Sequence, residues 1–504
     1  MSLAVIYSRA QIGFDSPEVR VETHLSGGLP RVAIVGLPET TVRESRDRVR
    51  SALLNAGFSF PVSRITISMA PADLPKDGGR FDLAIALGIL AASGQIPADC
   101  VEGMEFVAEL SLAAELRPVS GILPTALIAD KSGRKLLIPA ANQNEATLLN
   151  STNIYCAKNL TEVVAGLTGQ QQLATPEACT NKLDEIPALP DLNEVYGQRH
   201  AIRALTVAAA GKHNLLFIGP PGSGKTLLAT RLPSILPKLG ANASLESMAI
   251  ASICGKPLNT RQFGRPPFQS PHHTSSAVAL VGGGSQVRPG EISLAHNGVL
   301  FLDELPEFSR HVLEVLREPM ESGQIMISRA ARQAIYPARF QFIAAMNPCP
   351  CGFSGDPGGQ CQCSGEQIAR YRQRISGPLL DRIDMQVEVP RLPLQELNGT
   401  AGQQIQSSKV HSSVIAARKL QQQRQSCVNS LLNNKQLRKY CPLKAAQSDF
   451  LIQSCEQLRL SARAYTRVLR LARTIADLDA KTNIQTQHLT EAIGYRRLFT
   501  NTGV

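Results

Sequence analysis

The sequence of 504 residues lacks any apolar run long enough to cross a lipid bilayer. Its longest unbroken apolar stretches, such as Leu83 to Ala92, are far shorter than the ~18 residues that a spanning helix needs. The first residues, MSLAVIYSRAQ, also lack the charged segment and cleavage site of a secretory signal. We therefore expect a soluble, cytoplasmic protein with no membrane partner.

The sequence shows no repeat of fixed period, and its composition is not that of a disordered chain. Apolar residues make up 43% and charged residues 18%, which is ordinary for globular protein, so buried cores are expected. A chain of this length divides into about two to four domains. The 11 cysteines, without a secretory signal, favour reduced thiols or a metal site over a disulfide framework.

The net charge of +11 is concentrated in the last part of the chain. Residues 364–504 contain 21 lysines and arginines against 10 acidic residues, a difference that accounts for the whole excess. A basic segment of this kind favours a polyanionic partner such as nucleic acid, because each neutralised phosphate releases counterions. The alternative is a solvated basic face with no partner.

Residues 1–168 alternate strand-like and helix-like patterns, which predicts an α/β domain. The segment PEVRVETHL places one side of a strand at Val19, Val21, Thr23 and Leu25. PRVAIVGLP, the next apolar segment along the chain, is predicted to be a more buried strand. The charged segment TVRESRDRVRSALLNAG has the period of a helix and is expected to end at Gly57.

The remaining chain is predicted to form a linker and two further domains. Residues 169–192 are polar, contain three prolines and have no sustained period, as in a linker. Residues 193–395 contain the strands NLLFIG, GVLFLDE and FQFIAAMN between helical or glycine-rich segments, which predicts a mainly parallel, doubly wound sheet. Residues 396–504 read as a small all-α domain.

The segment GPPGSGKT follows an apolar strand and precedes a helix-like segment, and it fits the pattern G-x-x-x-x-G-K-[ST] of a phosphate-binding loop, or P-loop. Its glycines allow backbone N–H groups to wrap the phosphates, Lys225 reaches the outer phosphates, and Thr226 offers a hydroxyl to magnesium. The expected nucleotide contacts are Gly219, Pro220, Pro221, Gly222, Ser223, Gly224, Lys225 and Thr226. We therefore expect ATP and Mg²⁺ as cofactors.

Two further strands end in polar residues that suit the same site. VLFLDE ends in Asp303, which can hold the magnesium shell, and Glu304, which can polarise the attacking water. FQFIAAMNP ends in Asn347, whose amide can orient that water or sense the γ-phosphate. The alternatives are a solvated helix start for the acidic pair and a capping residue for Asn347. This series of strands is that of an AAA+ ATPase.

Four cysteines form the spacing C-x-C, nine residues, C-x-C at Cys349, Cys351, Cys361 and Cys363. Four thiolates on a glycine-rich loop can enclose a tetrahedral Zn²⁺ ion, which would order a segment too polar to fold by burial. Free thiols and a redox pair are the alternatives. His272 and His273, in SPHHT, are expected to pack in a loop or contact substrate rather than bind a metal.

Several segments together resemble the ComM/YifB family of magnesium-chelatase-like AAA+ proteins over nearly the whole chain. These segments are GLPRVAIVGLPETTVRESRDRVRSAL, LPKDGGRFDLAIALGIL, SPHHTSSAVALVGGG, GVLFLDELPEF, NPCPCG and RISGPLLDRID. The resemblance implies multidomain α/β architecture: a Lon-protease-like α/β domain at 1–168, an AAA+ P-loop α/β core of the magnesium-chelatase type at 193–395, and a C-terminal helical lid at 396–504.

The family resemblance also implies a homo-hexameric ring that acts on DNA. For ComM members it implies a helicase that drives branch migration and extends the integration of incoming single strands in natural transformation, by homologous recombination. Single-stranded and branched DNA are then the expected partners. The alternatives from the sequence are a chelatase motor that inserts magnesium into a porphyrin, and a motor that remodels proteins.

The resemblance assigns roles to further arginines. Arg382, in LLDRID, is similar to an arginine finger that reaches a neighbouring subunit's γ-phosphate, and Arg463, in SARAYTRVL, to the sensor 2 arginine of the lid. The alternatives are a salt bridge from Arg382 to Asp381 or Asp384, and a solvated helix face for Arg463. MESGQIMISRAARQAIYPARF resembles a pore-facing hairpin whose Arg329 and Arg332 contact DNA, and SSAVALVGGGSQVRPG resembles an insert with a glycine-rich pore loop.

The first domain resembles Lon-type proteases without their nucleophile. In active members a serine follows the glycine-rich turn and a lysine serves as its base, whereas this chain has Lys76-Asp77-Gly78-Gly79-Arg80-Phe81. A Ser-Lys dyad that lacks its serine cannot form an acyl intermediate. We therefore expect a catalytically inactive domain that serves the ring or the DNA as a platform.

Overall fold

The computed structural model describes residues 2–35, 40–74, 76, 78–149, 151–177, 189–284, 287–329, 332–356, 361–392 and 404–496. The chain forms two large sheets, each covered by helices, and a helical C-terminal part. None of the helices in these ranges combines the length and apolarity that crossing a bilayer requires. None of the ten cysteines in these ranges forms a disulfide.

The N-terminal sheet has seven strands and buries one long apolar helix. Its strands are β1 Ser2–Arg9, β2 Glu18–Ser26, β3 Arg31–Val35, β4 Arg64–Ala70, β5 Met104–Phe106, β8 Lys135–Pro139 and β9 Ile154–Ala157, with the short pair β6 Glu109–Leu110 and β7 Leu116–Arg117. Its helices are α1 Thr40–Asn55, α2 Asp82–Ala92, α3 Ile122–Lys131, α4 Gln143–Ala146 and α5 Leu160–Leu167. The strand order is β3-β4-β2-β1-β5-β8-β9. Every residue of α2 is buried.

The alternation expected in β2 is present, but β3 differs from its prediction. Val19, Val21 and Thr23 are fully buried on one face of β2. The apolar run of β3 was expected to be more buried, yet β3 is the edge strand of the sheet and its residues are exposed or half-buried. An uninterrupted apolar run does not say whether a strand is central or at an edge. Helix α1 ends at Asn55, just before Gly57, as predicted.

The second sheet is entirely parallel and carries the sequence motifs. Its strands are β10 Leu215–Ile218, β11 Phe268–Gln269, β14 Val299–Leu302, β17 Gln341–Met346 and β18 Met385–Glu388, in the order β11-β14-β17-β10-β18. Two hairpins leave it: β12 Gly282–Gly283 with β13 Arg288–Pro289, and β15 Gln324–Arg329 with β16 Arg332–Pro337. Its helices are α6 Arg199–Gly211, α7 Lys225–Ile235, α8 Ala241–Ile253, α9 Ala277–Val281, α10 Glu291–Leu294, α11 Arg310–Val315, α12 Arg317–Ser322, α13 Gly365–Arg372 and α14 Gly377–Leu380. The parallel, doubly wound prediction is confirmed.

The C-terminal part is helical, as predicted, and shares a core with the parallel sheet. Its helices are α15 Ser407–Gln425, α16 Asn434–Tyr440, α17 Ala445–Gln457, α18 Ala462–Leu478 and α19 Thr486–Gly494. One buried apolar cluster contains residues of α6, α7, β10 and β17 together with residues of α15, α18 and α19. The helical part is therefore packed on the nucleotide-motif sheet rather than tethered to it.

A buried polar network crosses that same boundary. Arg424 donates to both oxygens of Asp477, at 2.6 and 2.8 Å, and Arg473 donates to Asp477 from one turn earlier on α18. The Thr474 hydroxyl lies 2.8 Å from Nε2 of His213, which follows α6. Asp477 and Arg473 are almost fully buried, so their charges depend on this pairing.

Several of the basic residues behind the net charge are therefore structural. Arg467 pairs with Asp384, Arg418 donates to the carbonyl oxygen of Ala209, and Arg496 donates to that of Ile383. Other basic residues remain exposed, among them Lys435, Arg438 and Lys439 on α16. The basic excess in the sequence thus overstates the charge that is available to a polyanion.

Hydrogen bonds join the N-terminal sheet region to the parallel-sheet region. The backbone N–H of Gly121 donates to the carbonyl of Ser252 at 3.0 Å, and the Ser252 hydroxyl contacts Glu145. Within the predicted linker, Ala174 still pairs with Cys156 of β9, and residues 178–188 lie outside the described ranges.

Asp477→Ala is expected to lower the free energy of unfolding by about 3 kcal/mol, because it leaves two arginines without their buried carboxylate. Chemical denaturation of the full chain, followed at the transition that includes the helical part, measures this. Asp479→Ala is the matched control: Asp479 is partly exposed and pairs with Arg203, so a loss below about 1 kcal/mol is expected. Equal losses in both variants would contradict the assignment.

Candidate active site

The strand order of the parallel sheet brings three sequence motifs to one edge. Strand β17 lies between β10 and β14 and runs parallel to both. Ile218 is opposite Met346, and Leu302 is opposite Ala344. The residues that follow these strands, Gly219, Asp303 and Asn347, therefore emerge side by side at the carboxyl ends, where ligands bind in open α/β sheets.

The lysine of the P-loop forms hydrogen bonds to the backbone of the same loop. Gly224 has φ of 91°, a left-handed conformation that favours glycine, and it caps the N-terminus of α7. Lys225 is buried, and its Nζ donates to the carbonyl oxygens of Gly219 and Pro220 at 2.7 and 2.8 Å. The same Nζ donates to Oδ1 of Asn347 at 3.1 Å. The structure thus places Asn347 on the P-loop lysine.

Electrostatics at Lys225 suit an anionic ligand. Burial lowers the pKa of Lys225 from its ordinary value, and the nearby carboxylates of Asp303 and Glu304 offset part of that effect. A phosphate group close to Nζ supplies negative charge to an ammonium that is otherwise poorly solvated. Binding of a phosphate anion is therefore expected to favour the charged lysine.

The proposed magnesium ligands are already adjacent. The hydroxyl of Thr226 donates to Oδ2 of Asp303 at 2.5 Å. An oxygen from the start of α7 and one from the end of β14 are therefore close enough to bind the same ion. Hydroxyl and carboxylate oxygens are ligands that Mg²⁺ takes alongside phosphates and water. The donor set fits a magnesium ion, and these two residues would hold it.

Glu304 has an unusual backbone and a histidine partner. Its φ and ψ are 52° and 47°, the left-handed region, and its backbone N–H donates to Oδ1 of Asp303 at 2.9 Å. Nδ1 of His273 lies 3.1 Å from Oε2 of Glu304. The parallel register explains this contact, because Gln269 is opposite Leu300 and both histidine and glutamate lie four residues further on.

His273 therefore contacts Glu304, the candidate catalytic base, a role that the sequence analysis did not assign. His272 lies against His273, with ring centroids 4.1 Å apart and the ring planes tilted by 34°, and its Nδ1 lies 2.9 Å from the hydroxyl of Thr274. In the described residues, the one group of side chains suited to a metal is the cysteine cluster, so neither histidine belongs to one. The contact was missed because β11, the strand that precedes His273, has only two residues, too few to give a pattern in the sequence.

Gln198 is a second residue that sequence reasoning missed. Its Nε2 donates to the carbonyl oxygens of Ser223, in the P-loop, and of Pro390, beyond β18, at 3.2 and 2.7 Å. The residue precedes α6 and is buried. Its amide therefore joins the P-loop to the chain beyond β18, the strand that pairs with β10, although these segments are far apart in the sequence.

The two arginines assigned by resemblance occupy different environments. Arg382 is buried, and it donates to Oε1 of Glu321 at 2.6 Å and to the carbonyl of Pro378 at 2.7 Å. Its ion pair is thus with Glu321, not with Asp381 or Asp384 as the alternative had it, and Asp384 pairs with Arg467. Arg463 is exposed near the N-terminus of α18.

The predicted hairpin is present between the acidic strand and the Asn347 strand. Strands β15 and β16 are antiparallel, and Arg329 pairs with Arg332 next to the turn. The structure describes these two arginines by their backbone alone. The predicted glycine-rich insert contains α9 and the β12–β13 hairpin, and its residues 285–286 lie outside the described ranges.

The four cysteines come together in a cluster. The sulfur of Cys349 lies 3.3 Å from that of Cys351 and 3.7 Å from that of Cys361. All four sulfurs are within 4.8 Å of one another, and a tetrahedral zinc with bonds of about 2.3 Å sets its sulfurs about 3.8 Å apart. A hydrogen bond from the backbone of Phe353, together with a hydrogen bond from the side chain of Cys349, lowers the pKa of the Cys351 thiol to about 6. The cluster can hold a metal ion.

The glycine-rich turn of the N-terminal region contains a buried lysine and no serine. Nζ of Lys76 donates to the carbonyl oxygens of Pro71 and Leu74 at 2.6 and 3.0 Å, and burial lowers its pKa. Asp77, in the same run, lies outside the described residues. A cavity of about 410 Å³ opens beside this turn, between Arg80 and Tyr336, and its lining includes no P-loop residue.

Three family models match successive parts of the chain. "Subunit ChlI of Mg-chelatase" matches residues 21–142, "Magnesium chelatase, subunit ChlI" matches 191–397, and "Magnesium chelatase, subunit ChlI C-terminal" matches 404–496. The second match contains the P-loop, the acidic strand, Asn347 and the cysteine cluster.

Known proteins match either nearly the whole chain or a part of it. "Competence protein ComM" of Haemophilus influenzae (strain ATCC 51907 / DSM 11121 / KW20 / Rd) is 49% identical over 503 residues, which cover 99% of this chain and 98% of that protein. "Uncharacterized protein YifB" of Escherichia coli (strain K12) is 47% identical over 501 residues, covering 99% and 98%. The "Magnesium-chelatase 38 kDa subunit" of Acidiphilium rubrum is 27% identical over 184 residues, covering 32% of this chain and 53% of that protein.

His273→Ala is expected to raise basal ATP turnover about threefold or more, because it leaves the carboxylate of Glu304 free to accept a proton from water. Nucleotide affinity is expected to stay unchanged, since within the described residues His273 contacts Glu304 and His272 rather than the P-loop. Steady-state kinetics that separate kcat from KM measure both. His272→Ala is the control and should leave kcat unchanged; a fall in kcat for His273→Ala would show that the histidine supports Glu304 instead.

Proposed function

The chain belongs to the ComM/YifB family of magnesium-chelatase-like AAA+ proteins, and from this membership and the site geometry we propose a hexameric, ATP-driven DNA motor. It acts in the cytoplasm as a helicase and branch-migration factor that promotes the integration of single-stranded DNA by homologous recombination in natural transformation. One observation carries the ATPase part: the P-loop, the acidic strand and Asn347 meet at one sheet edge.

The chain's own side chains account for the chemistry of hydrolysis. Lys225 binds the outer phosphates, Thr226 and Asp303 hold the magnesium ion, and Glu304 accepts a proton from the attacking water. Asn347 positions that water or senses the γ-phosphate. Magnesium, when bound, neutralises the charge that develops on the phosphate oxygens.

Hexamer formation gives Arg382 and Arg463 their proposed roles. Arg382 acts as the finger that completes a neighbouring subunit's site, and Glu321 is its partner within one chain. Arg463 acts as the sensor 2 arginine and is exposed at the start of α18. A guanidinium suits both places, because its planar fork can follow charge spread over several phosphate oxygens.

The DNA part of the proposal rests on charge and on the family. The hairpin turn carries Arg329 and Arg332, which we propose as contacts to the phosphate backbone of DNA in the pore. Exposed basic residues on α16 add positive charge outside it. The relative named "Competence protein ComM" supports a role in natural transformation.

Two other motors are less well supported. A magnesium-chelatase motor is favoured by the family models, but the chelatase subunit of Acidiphilium rubrum matches 32% of this chain, whereas the ComM and YifB proteins match 99%. The one feature that favours a protein-remodelling motor is the N-terminal domain, which resembles a protease. Stimulation of ATP turnover by DNA distinguishes the DNA motor from both.

We also propose the domain assignment and the state of the N-terminal domain. Residues 1–168 form a Lon-protease-like domain, 169–192 a linker, 193–395 the AAA+ core and 396–504 the lid. The N-terminal domain is catalytically inactive, because no serine follows the turn at Lys76 and the lysine bonds to backbone carbonyls instead. Peptide cleavage that is lost on replacing one serine elsewhere would overturn this.

We propose that the cysteine cluster binds Zn²⁺. Elemental analysis of the purified chain is expected to give about one zinc ion per chain, because four thiolates on a loop this polar match a structural zinc site. Cys361→Ser is expected to lose most of the zinc, whereas Cys427→Ser, a free cysteine outside the cluster, should keep it. Far less than one metal per chain in the unsubstituted protein would favour free thiols.

The experiment that tests the proposed function is ATP turnover and unwinding of forked or branched DNA, with and without DNA, in the natural chain and in Lys225→Ala. DNA is expected to stimulate turnover of the natural chain, and Lys225→Ala is expected to lose turnover by about a hundredfold or more, because the outer phosphates lose their cation. ATP turnover that ignores every DNA tested would contradict the DNA motor.

Mixed rings test the proposed role of the neighbouring subunit. Glu304→Gln subunits, added to the natural chain, are expected to lower activity by more than their fraction, since each site works with its neighbours. Activity is measured across a series of mixing ratios. A fall strictly proportional to the fraction of the variant would contradict coupling between subunits.

A further inference from the structure

The loop that carries the cysteine cluster lies directly against the P-loop. Gly352 falls between the two cysteine pairs, and a Cβ atom placed on it would lie 2.5 Å from Cδ and 2.7 Å from Cγ of Pro221. The same Cβ would lie 3.8 Å from Cγ of Asn347. Two residues of the candidate nucleotide site therefore touch the cysteine loop at one point.

The position of Gly352 is set by the cysteines on either side. Its N–H donates to the carbonyl of Cys349 at 3.0 Å, and its φ of +87° closes a tight turn there. The N–H of Ser354 donates to the sulfur of Cys349 at 3.3 Å, and Cys349 is fully buried. The turn that presents Gly352 is thus held by the carbonyl oxygen and the sulfur of Cys349, a member of the cluster.

The sequence of the loop offers little apolar surface to order it. The sequence from Cys349 to Cys363, CPCGFSGDPGGQCQC, contains Phe353 as its single large apolar side chain. A segment of this composition cannot bury enough apolar area to offset its loss of conformational entropy, so metal binding supplies the ordering free energy. The contact at Pro221 then depends on the metal.

We propose that a metal ion bound by the four cysteines braces the P-loop through Gly352, and that removing the metal weakens ATP binding at the site. The reason is preorganisation: a P-loop held in its binding conformation loses less entropy when ATP binds. The proposal rests on the proposed ATPase function. It adds that the nucleotide site responds to the metal and thiol state of a cluster that does not touch ATP.

Two glycines of the loop provide a matched pair of variants. Gly352 and Gly355 have φ of +87° and +82°, so alanine strains the backbone similarly at both positions. A methyl group at Gly352 meets Pro221, whereas one at Gly355 has no atom within 4 Å among the described residues. A difference between the two variants therefore reports the contact with the P-loop rather than backbone strain.

The test measures binding of a fluorescent ATP analogue with Mg²⁺ to the full chain, together with zinc content. Gly352→Ala is expected to keep its zinc and to bind the analogue about tenfold more weakly, while Gly355→Ala resembles the natural chain. Stripping the natural chain with a chelator that takes zinc but not magnesium should weaken binding similarly, and added Zn²⁺ should restore it.

The outcomes separate the brace from the function on which it rests. If the natural chain binds no ATP analogue, the proposed ATPase function fails. If it binds the analogue but zinc removal leaves the Kd unchanged, or if Gly352→Ala binds as the natural chain does, the brace is wrong and the ATPase remains. A natural chain that binds ATP but holds no metal at the cluster also overturns the brace.

Discussion

The place of β17 between β10 and β14 is the constraint on which the rest of the site depends. Because all three strands are parallel, their carboxyl ends lie at the same edge of the sheet, and the residues that follow them lie next to one another. The contacts of Lys225 with Asn347 and of Thr226 with Asp303 follow from this order. A site made from residues more than 100 positions apart is thus fixed by backbone pairing.

Neighbouring segments reach the same edge and surround the nucleotide residues. Strand β11 runs parallel to β14 and delivers His273 to Glu304, and the chain beyond β17 returns in the cysteine loop to Pro221. The His273 segment continues through α9 into the glycine-rich hairpin. Through His273, the candidate catalytic base Glu304 is therefore connected, over a short stretch of chain, to the insert that resembles a pore loop.

Sequence reasoning predicted the elements whose signals are local. Apolar runs marked the strands β10, β14 and β17, and Gly57 marked the end of α1, while the family resemblance pointed to the hairpin of β15 and β16. It failed where the answer depends on distant partners. The apolar run of β3 gave no sign that it lies at an edge, and the pairing of Arg382 with Glu321 joins residues 61 positions apart in the numbering. The pairings of Arg424 with Asp477 and of Arg467 with Asp384 were hidden for the same reason.

The most direct measurement of the central claim is the effect of magnesium on ATP binding. If Thr226 and Asp303 are brought together by the sheet to hold the ion, isothermal titration should show that Mg²⁺ strengthens binding of a non-hydrolysable ATP analogue to the natural chain. Asp303→Ala should lose most of that magnesium effect while still binding the analogue through Lys225. A magnesium effect of the same size in both proteins would contradict the assembly of one nucleotide site from the three strand ends.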